Sequence, residues 1–132
     1  MINELIETIF DGFKVNGVDI PVKFLRYNGT ATTYVTYMQA HANDSLSADD
    51  QLLNWMEYYD FDVYSKGDYT DVLEAIKQML EENGFRWRPS WSSSDMFEDD
   101  TGYYHKTLNF AIERSNQNGK NWSNELPLLG SY

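Results

Sequence analysis

Residues 94–106 read Ser-Asp-Met-Phe-Glu-Asp-Asp-Thr-Gly-Tyr-Tyr-His-Lys. Carboxylates at Asp95, Glu98, Asp99 and Asp100 stand close in sequence to the Thr101 hydroxyl and the His105 imidazole. Such groups could hold a cation, since hard ions take carboxylate oxygens and transition metals accept imidazole. The spacing does not fit: the odd-position acidic ladder of a calcium loop and its closing glutamate are missing, and there is no His-Glu-x-x-His. Paired carboxylates could cleave a glycoside, but so small a chain offers little cleft around them. Nucleophilic catalysis needs a nucleophile, a base and oxyanion donors. The chain has no cysteine, no Gly-x-Ser-x-Gly and only two histidines. His41 ends a run of strand-forming residues and reads as a surface histidine. No glycine-rich phosphate loop is present.

The remaining chemistry is that of a turn. In Asp99-Asp100-Thr101-Gly102 the acids can accept local backbone N–H bonds, and Gly102 can take positive φ. His105 and Lys106 then begin the returning strand. This reading predicts no catalytic residue, no metal ligand, no cofactor and no enzymatic activity.

The elements around this turn follow from hydrophobic spacing. Asn3 is placed to cap a first helix whose stripe is Ile2, Leu5, Ile6, Ile9, Phe10 and Phe13. Pro21–Tyr27 and Thr32–Gln39 are strand-like and flank Asn28-Gly29, which predicts a hairpin with a longer loop. Residues 42–50, Ala-Asn-Asp-Ser-Leu-Ser-Ala-Asp-Asp, are polar and aperiodic and read as a loop. From Leu53 to Tyr64 the pattern ends in alternation: Tyr59, Phe61 and Val63 on one face, Tyr58, Asp60, Asp62 and Tyr64 on the other. Asp68 is placed to cap a helix over Tyr69–Asn83, ended by Gly84. Phe85–Arg88 is a strand that Pro89 confines to an edge. Tyr103–Arg114 is the last strand. This predicts an α+β domain over residues 1–115: a single, mostly antiparallel sheet of about four to five strands with two main helices packed on one face. The other face is left for solvent or a partner. Residues 116–132 lack periodicity and read as a C-terminal arm.

With 132 residues and 42% hydrophobic content, the chain can bury a core. The absence of cysteine fits a reducing compartment. No apolar run is long enough to span a membrane, and Met1-Ile2-Asn3-Glu4 does not read as a signal peptide. A net charge of -11 repels nucleic acid. It keeps the chain soluble, or keeps a polyanion from sticking where it must slide past.

Several segments resemble the tail terminators, or head-to-tail joining proteins, of bacteriophages with long non-contractile tails. They are Thr-Tyr-Val-Thr-Tyr-Met-Gln after the Asn-Gly pair, Phe-Asp-Val-Tyr-Ser-Lys, the helix end Glu-Asn-Gly-Phe, and Asp-Met-Phe-Glu-Asp-Asp-Thr-Gly-Tyr-Tyr-His-Lys-Thr-Leu-Asn-Phe-Ala-Ile-Glu-Arg. The resemblance runs from about Ile20 to Arg114. Its most specific part is similar to the family's Tyr-Glu-x-Asp-Thr-x-x-Tyr-His-Lys, with Phe97 where a tyrosine is expected. The resemblance implies an α+β subunit of a homohexameric ring that caps the tail tube and docks to the head connector. The implied partners are further copies, the tail tube protein and the head connector or head-completion protein; genome DNA passes through unbound. The implied place is the head–tail interface of the virion, after synthesis in the host bacterial cytoplasm. For the matched segment it implies that Asp100 and Thr101 fix the turn and that Tyr104 and His105 place the strand. Assembly contacts are expected at Asp44, Leu46 and Asp49 in the loop, and at Trp122, Leu126, Leu128 and Leu129 in the arm. A tail-tube subunit is expected to need a long hairpin, which the sequence does not announce. The alternative is an acidic DNA mimic, such as an anti-restriction factor.

Overall fold

The computed structural model describes residues 2–48 and 51–115, with side chains described for 2–43 and 54–115. Asp49 and the arm 116–132, with Trp122, Leu126, Leu128 and Leu129, lie outside the described residues. Helix α1 (Ile2–Ile9) precedes a small hairpin, β1 (Lys14–Val15) and β2 (Val18–Asp19). Then come β3 (Val22–Phe24), β4 (Thr33–Ala48), β5 (Gln51–Ser65), α2 (Thr70–Glu81) and β6 (Arg86–Trp87). A 3-10 turn (Pro89–Trp91), β7 (Met96–Glu98) and β8 (Tyr103–Ser115) complete the order. The main sheet runs β3-β4-β5-β8-β6 with β7 also on β8, so it has six strands rather than the expected four to five. The extra strands are short pieces at the edges, held by backbone pairing and too brief to leave a period.

Both helices close on the same side of this sheet. Ile2, Ile6 and Phe10 from the first helix and Val72, Ile76 and Leu80 from the second share one cluster with Val35, Tyr37, Phe61, Val63, Leu108 and Phe110. Phe85 joins that cluster and Leu73 packs against it half-buried. Asn3 lies inside α1 rather than capping it. Asp68 does bind the start of α2: its carboxylate accepts the Thr70 N–H at 2.9 Å, which holds the acid below its usual range. At the other end Gly84 takes φ +91° and the Phe85 N–H returns to the Leu80 carbonyl.

Two expectations about strand pairing are overturned. β3 and β4 do not form a hairpin around Asn28-Gly29; they run parallel, with Val22 opposite Val35 and Phe24 opposite Tyr37. After β3 the chain makes a three-residue turn at Leu25 (φ +68°), closed by the Arg26 N–H to the Phe24 carbonyl at 2.7 Å. The returning loop is held by Tyr27, which packs on Tyr34 at 4.6 Å and accepts the Ala31 N–H. A Cβ at Gly29 would overlap the Tyr27 ring, which is why glycine stands there. The hairpin-forming pair is instead Asn16-Gly17, both at positive φ between β1 and β2.

The second correction is larger. Residues 42–48 are not a loop: they continue β4, paired with β5 as far as Ala48 opposite Gln51. Register shifts between Gln39 and His41, Asp44 and Leu46, and Leu46 and Ser47 break the alternation that would have announced the strand. β4 and β5 thus form the long hairpin that the sequence does not reveal.

Candidate functional site

Gly102 turns the chain from β7 into β8 at φ +78°, and its N–H reaches the Glu98 carbonyl at 2.8 Å. Thr101 donates its hydroxyl to the Glu98 carboxylate at 2.9 Å and accepts the Tyr103 N–H at 3.3 Å. From β5's end, Lys66 donates to the Thr101 carbonyl at 2.9 Å and sits 4.7 Å over the Tyr103 ring. Glu98 and Thr101 therefore pin the turn. Asp99 and Asp100, expected to do so, are exposed and make no side-chain hydrogen bond among the described residues. Asp95 is engaged further back: it accepts the Tyr69 hydroxyl at the start of α2 and lies 3.7 Å from the Lys106 ammonium.

His105 projects onto the sheet face opposite the helices. Its Nε2 is 3.3 Å from Asp62 Oδ1 and its Nδ1 is 3.7 Å from Glu98 Oε2. Its ring stacks on Tyr64 at 4.2 Å, and Tyr64 stacks on Tyr34 at 4.8 Å, so one row of flat rings crosses β8, β5 and β4. Tyr103 meets both tyrosines edge-on and donates to the Ala31 carbonyl. Burial, with Asp62 nearby, pushes the Tyr64 hydroxyl up to about 12.

Beyond this row lie two carboxylates, each satisfied from β8. Asp62 accepts the Thr107 hydroxyl, and Asp60 accepts the Asn109 amide at 2.7 Å. A second aromatic row follows: His41 stacks on Tyr58, and the Arg88 guanidinium lies 4.1 Å over Tyr58 and 4.7 Å over Trp91. Cross-strand pairing of this kind lets half-buried acids stay on a sheet with no second layer.

Chemically, the acids of this face are spent on neighbours. Both ring nitrogens of His105 face carboxylates, and no hydroxyl is hydrogen-bonded to either histidine among the described residues. Among the described residues no group of three or more acidic or histidine side chains could hold a metal ion. No helix among them is long and apolar enough to cross a membrane.

The sequence brought Thr101, Gly102 and His105 together in one turn. It missed the row Tyr34–Tyr64–His105 and the pairing of His105 with Asp62. The signal available was the alternation of β5, which puts Asp62 and Tyr64 on one face; the partner strand's register was not readable. Asp44 and Leu46 lie on β4 opposite Trp55 and Asn54, not in a loop.

The strongest unsatisfied feature is a sheet edge. β3 covers β4 only as far as Tyr37, whose carbonyl accepts the Leu25 N–H at 2.9 Å. From Met38 to Ala48 no strand pairs with β4 on that side among the described residues. On the other side of the hairpin, β8 accompanies β5 from Ser65 opposite Tyr104 to Asn54 opposite Ser115, the last described residue. No protein-family model matches the chain, and no curated protein sequence matches it.

Proposed function

We propose that this protein is a structural subunit of a phage tail, which caps the tail tube as a ring and joins it to the head. The resemblance in residues 20–114 supplies the place in the virion. The observation that carries the ring is the β4–β5 hairpin, which outruns β3 and leaves the outer backbone edge of β4 unpaired from Met38 to Ala48 among the described residues. An open edge of that length is a template for another strand, and soluble monomers normally blunt it. Sheet-to-sheet pairing between copies satisfies it. The net charge of -11 per copy suits a ring through which DNA must pass without adhering.

The same hairpin favours a second reading, a subunit of the tube itself, because continuous tubes of strands need long hairpins. The two readings differ in growth: a terminator closes into single rings at a tube end, whereas a tube subunit stacks into extended tubes. Tails made without this protein and mixed with purified heads test the first reading. They should fail to join, and added protein should restore joining and appear as one ring at the head-proximal end. Normal joining without it, or tight binding to duplex DNA at physiological salt, would overturn the reading. Extended tubes in electron micrographs would favour the second.

A further inference from the structure

The open edge of β4 has a counterpart at the far side of the same sheet. Most large apolar side chains that stand exposed among the described residues cluster at these two margins. At the β3–β4 margin Phe24, Leu25 and Met38 are 44%, 57% and 40% exposed. At the β7–β8 margin Met96, Phe97 and Tyr104 are 41%, 51% and 43% exposed, with the Phe97 and Tyr104 rings 4.9 Å apart. No strand pairs with the outer side of β7 among the described residues.

The charges beside these patches are opposite. Lys23 and Arg26 flank the first patch; both are exposed and neither has an acidic partner among the described residues. Lysine and arginine total 10 in a chain with 21 acids, so two unpaired cations at one margin are a local reversal of the overall sign. Asp99 and Asp100 flank the second patch, exposed and also unpaired among the described residues. The chain's own geometry opens the first margin. The turn at Leu25 holds a bulky residue at φ +68° and takes the chain off β4 just before Met38. Positive φ is costly for a branched side chain, so this is a specified ending of β3 rather than fraying.

We infer that the β7 margin of one copy docks on the β3–β4 margin of the next, extending one sheet into the other. Phe97 and Tyr104 meet Phe24 and Leu25, Met96 meets Met38 on the open face, and Asp99 and Asp100 meet Lys23 and Arg26. The contact is head-to-tail, because two copies of either margin brought face to face would oppose like charges. A head-to-tail contact generates rings or filaments and never a closed two-fold dimer. The inference rests on the ring reading above for closure, but the margins themselves are defined without it. Other occupants, such as an unrelated strand or a two-fold copy, are outcomes of the test.

The absence of cysteine makes that test clean. Two single variants, Leu25→Cys and Phe97→Cys, are purified, checked for folding by circular dichroism, mixed and oxidised mildly. This is done both in concentrated solution and after addition to tails lacking the protein. The expected product is a disulfide between the two variants, in large excess over either variant paired with itself. In the same assays Phe97→Lys should lose assembly while keeping its melting temperature. Self-paired Leu25→Cys would show a two-fold contact, and assembled protein without the mixed disulfide would show a different surface; either overturns the inference. If the tails join heads but no mixed disulfide forms, the margins are wrong and the tail function stands. If the mixed disulfide forms in solution but tails do not need the protein, the margins stand and the tail function fails. A chain that stays monomeric in both settings overturns both.

Discussion

The two faces of β5 carry alternate residues of one strand and are held by different forces. Tyr59, Phe61 and Val63 lie under the helices at 3%, 0% and 0% exposure. Tyr58, Asp60, Asp62 and Tyr64 face away from them, half-buried against one another and their cross-strand neighbours. Hydrophobic burial holds the first face, scaling with apolar area removed from water. The second face depends on pairing, so each polar group is worth little when matched and costs most when its partner is removed. The open margins belong to neither, and under the proposed docking they contribute to association rather than folding.

Truncating the packed face should have the largest effect. Ile76→Ala or Phe110→Ala removes a side chain with no exposure and should cost about 2–5 kcal/mol in chemical denaturation. On the open face Asp62→Ala strands the Thr107 hydroxyl and one side of His105, and should cost about 1–3 kcal/mol by the same measurement. A cost equal to that of the core variants would erase the distinction between the faces.

The pH dependence sharpens the same comparison. Burial raises the Tyr64 hydroxyl to about 12 in the folded chain, above the unfolded value of about 10. The contribution is full below the unfolded value and is lost as pH rises through the interval between the two, because the unfolded chain releases the proton first. Melting temperature should therefore fall between about pH 10 and pH 12, and Tyr64→Phe should reduce that slope. An unchanged slope would mean that burial beside Asp62 does not raise this hydroxyl. The smallest effect on folding is expected at the margin: Met38→Lys should change stability by no more than about 0.5 kcal/mol, yet abolish assembly.

What the sequence could reveal follows the same division. α2 and β8 were legible because burial imposes a period, and so was the shared core of Ile76, Leu80, Phe61, Val63, Leu108 and Phe110. The turn at Gly102 was legible because it needs a residue that takes positive φ. The outer half of β4 was not, because its backbone pairing with β5 asks nothing of side-chain type and its register shifts erase alternation. Two of the Asn-Gly pairs show the limit most plainly. Asn16-Gly17 turns a hairpin and Asn28-Gly29 sits in a returning loop, and what separates them is Tyr27 packing on Tyr34, a contact made by the tertiary fold. The pairing of His105 with Asp62 was equally out of reach, since it joins positions 43 residues apart.

Hydrogen exchange across residues 38–48 reads the central claim most directly. In the free chain the amides of β4 that point away from β5 have no backbone partner among the described residues and should exchange quickly, while their neighbours pointing toward β5 exchange slowly. On assembly the outward set should become protected and the inward set should barely change. Outward amides that are already protected in the free chain, or that stay unprotected in the assembled ring, would contradict an edge made to be covered by the next copy.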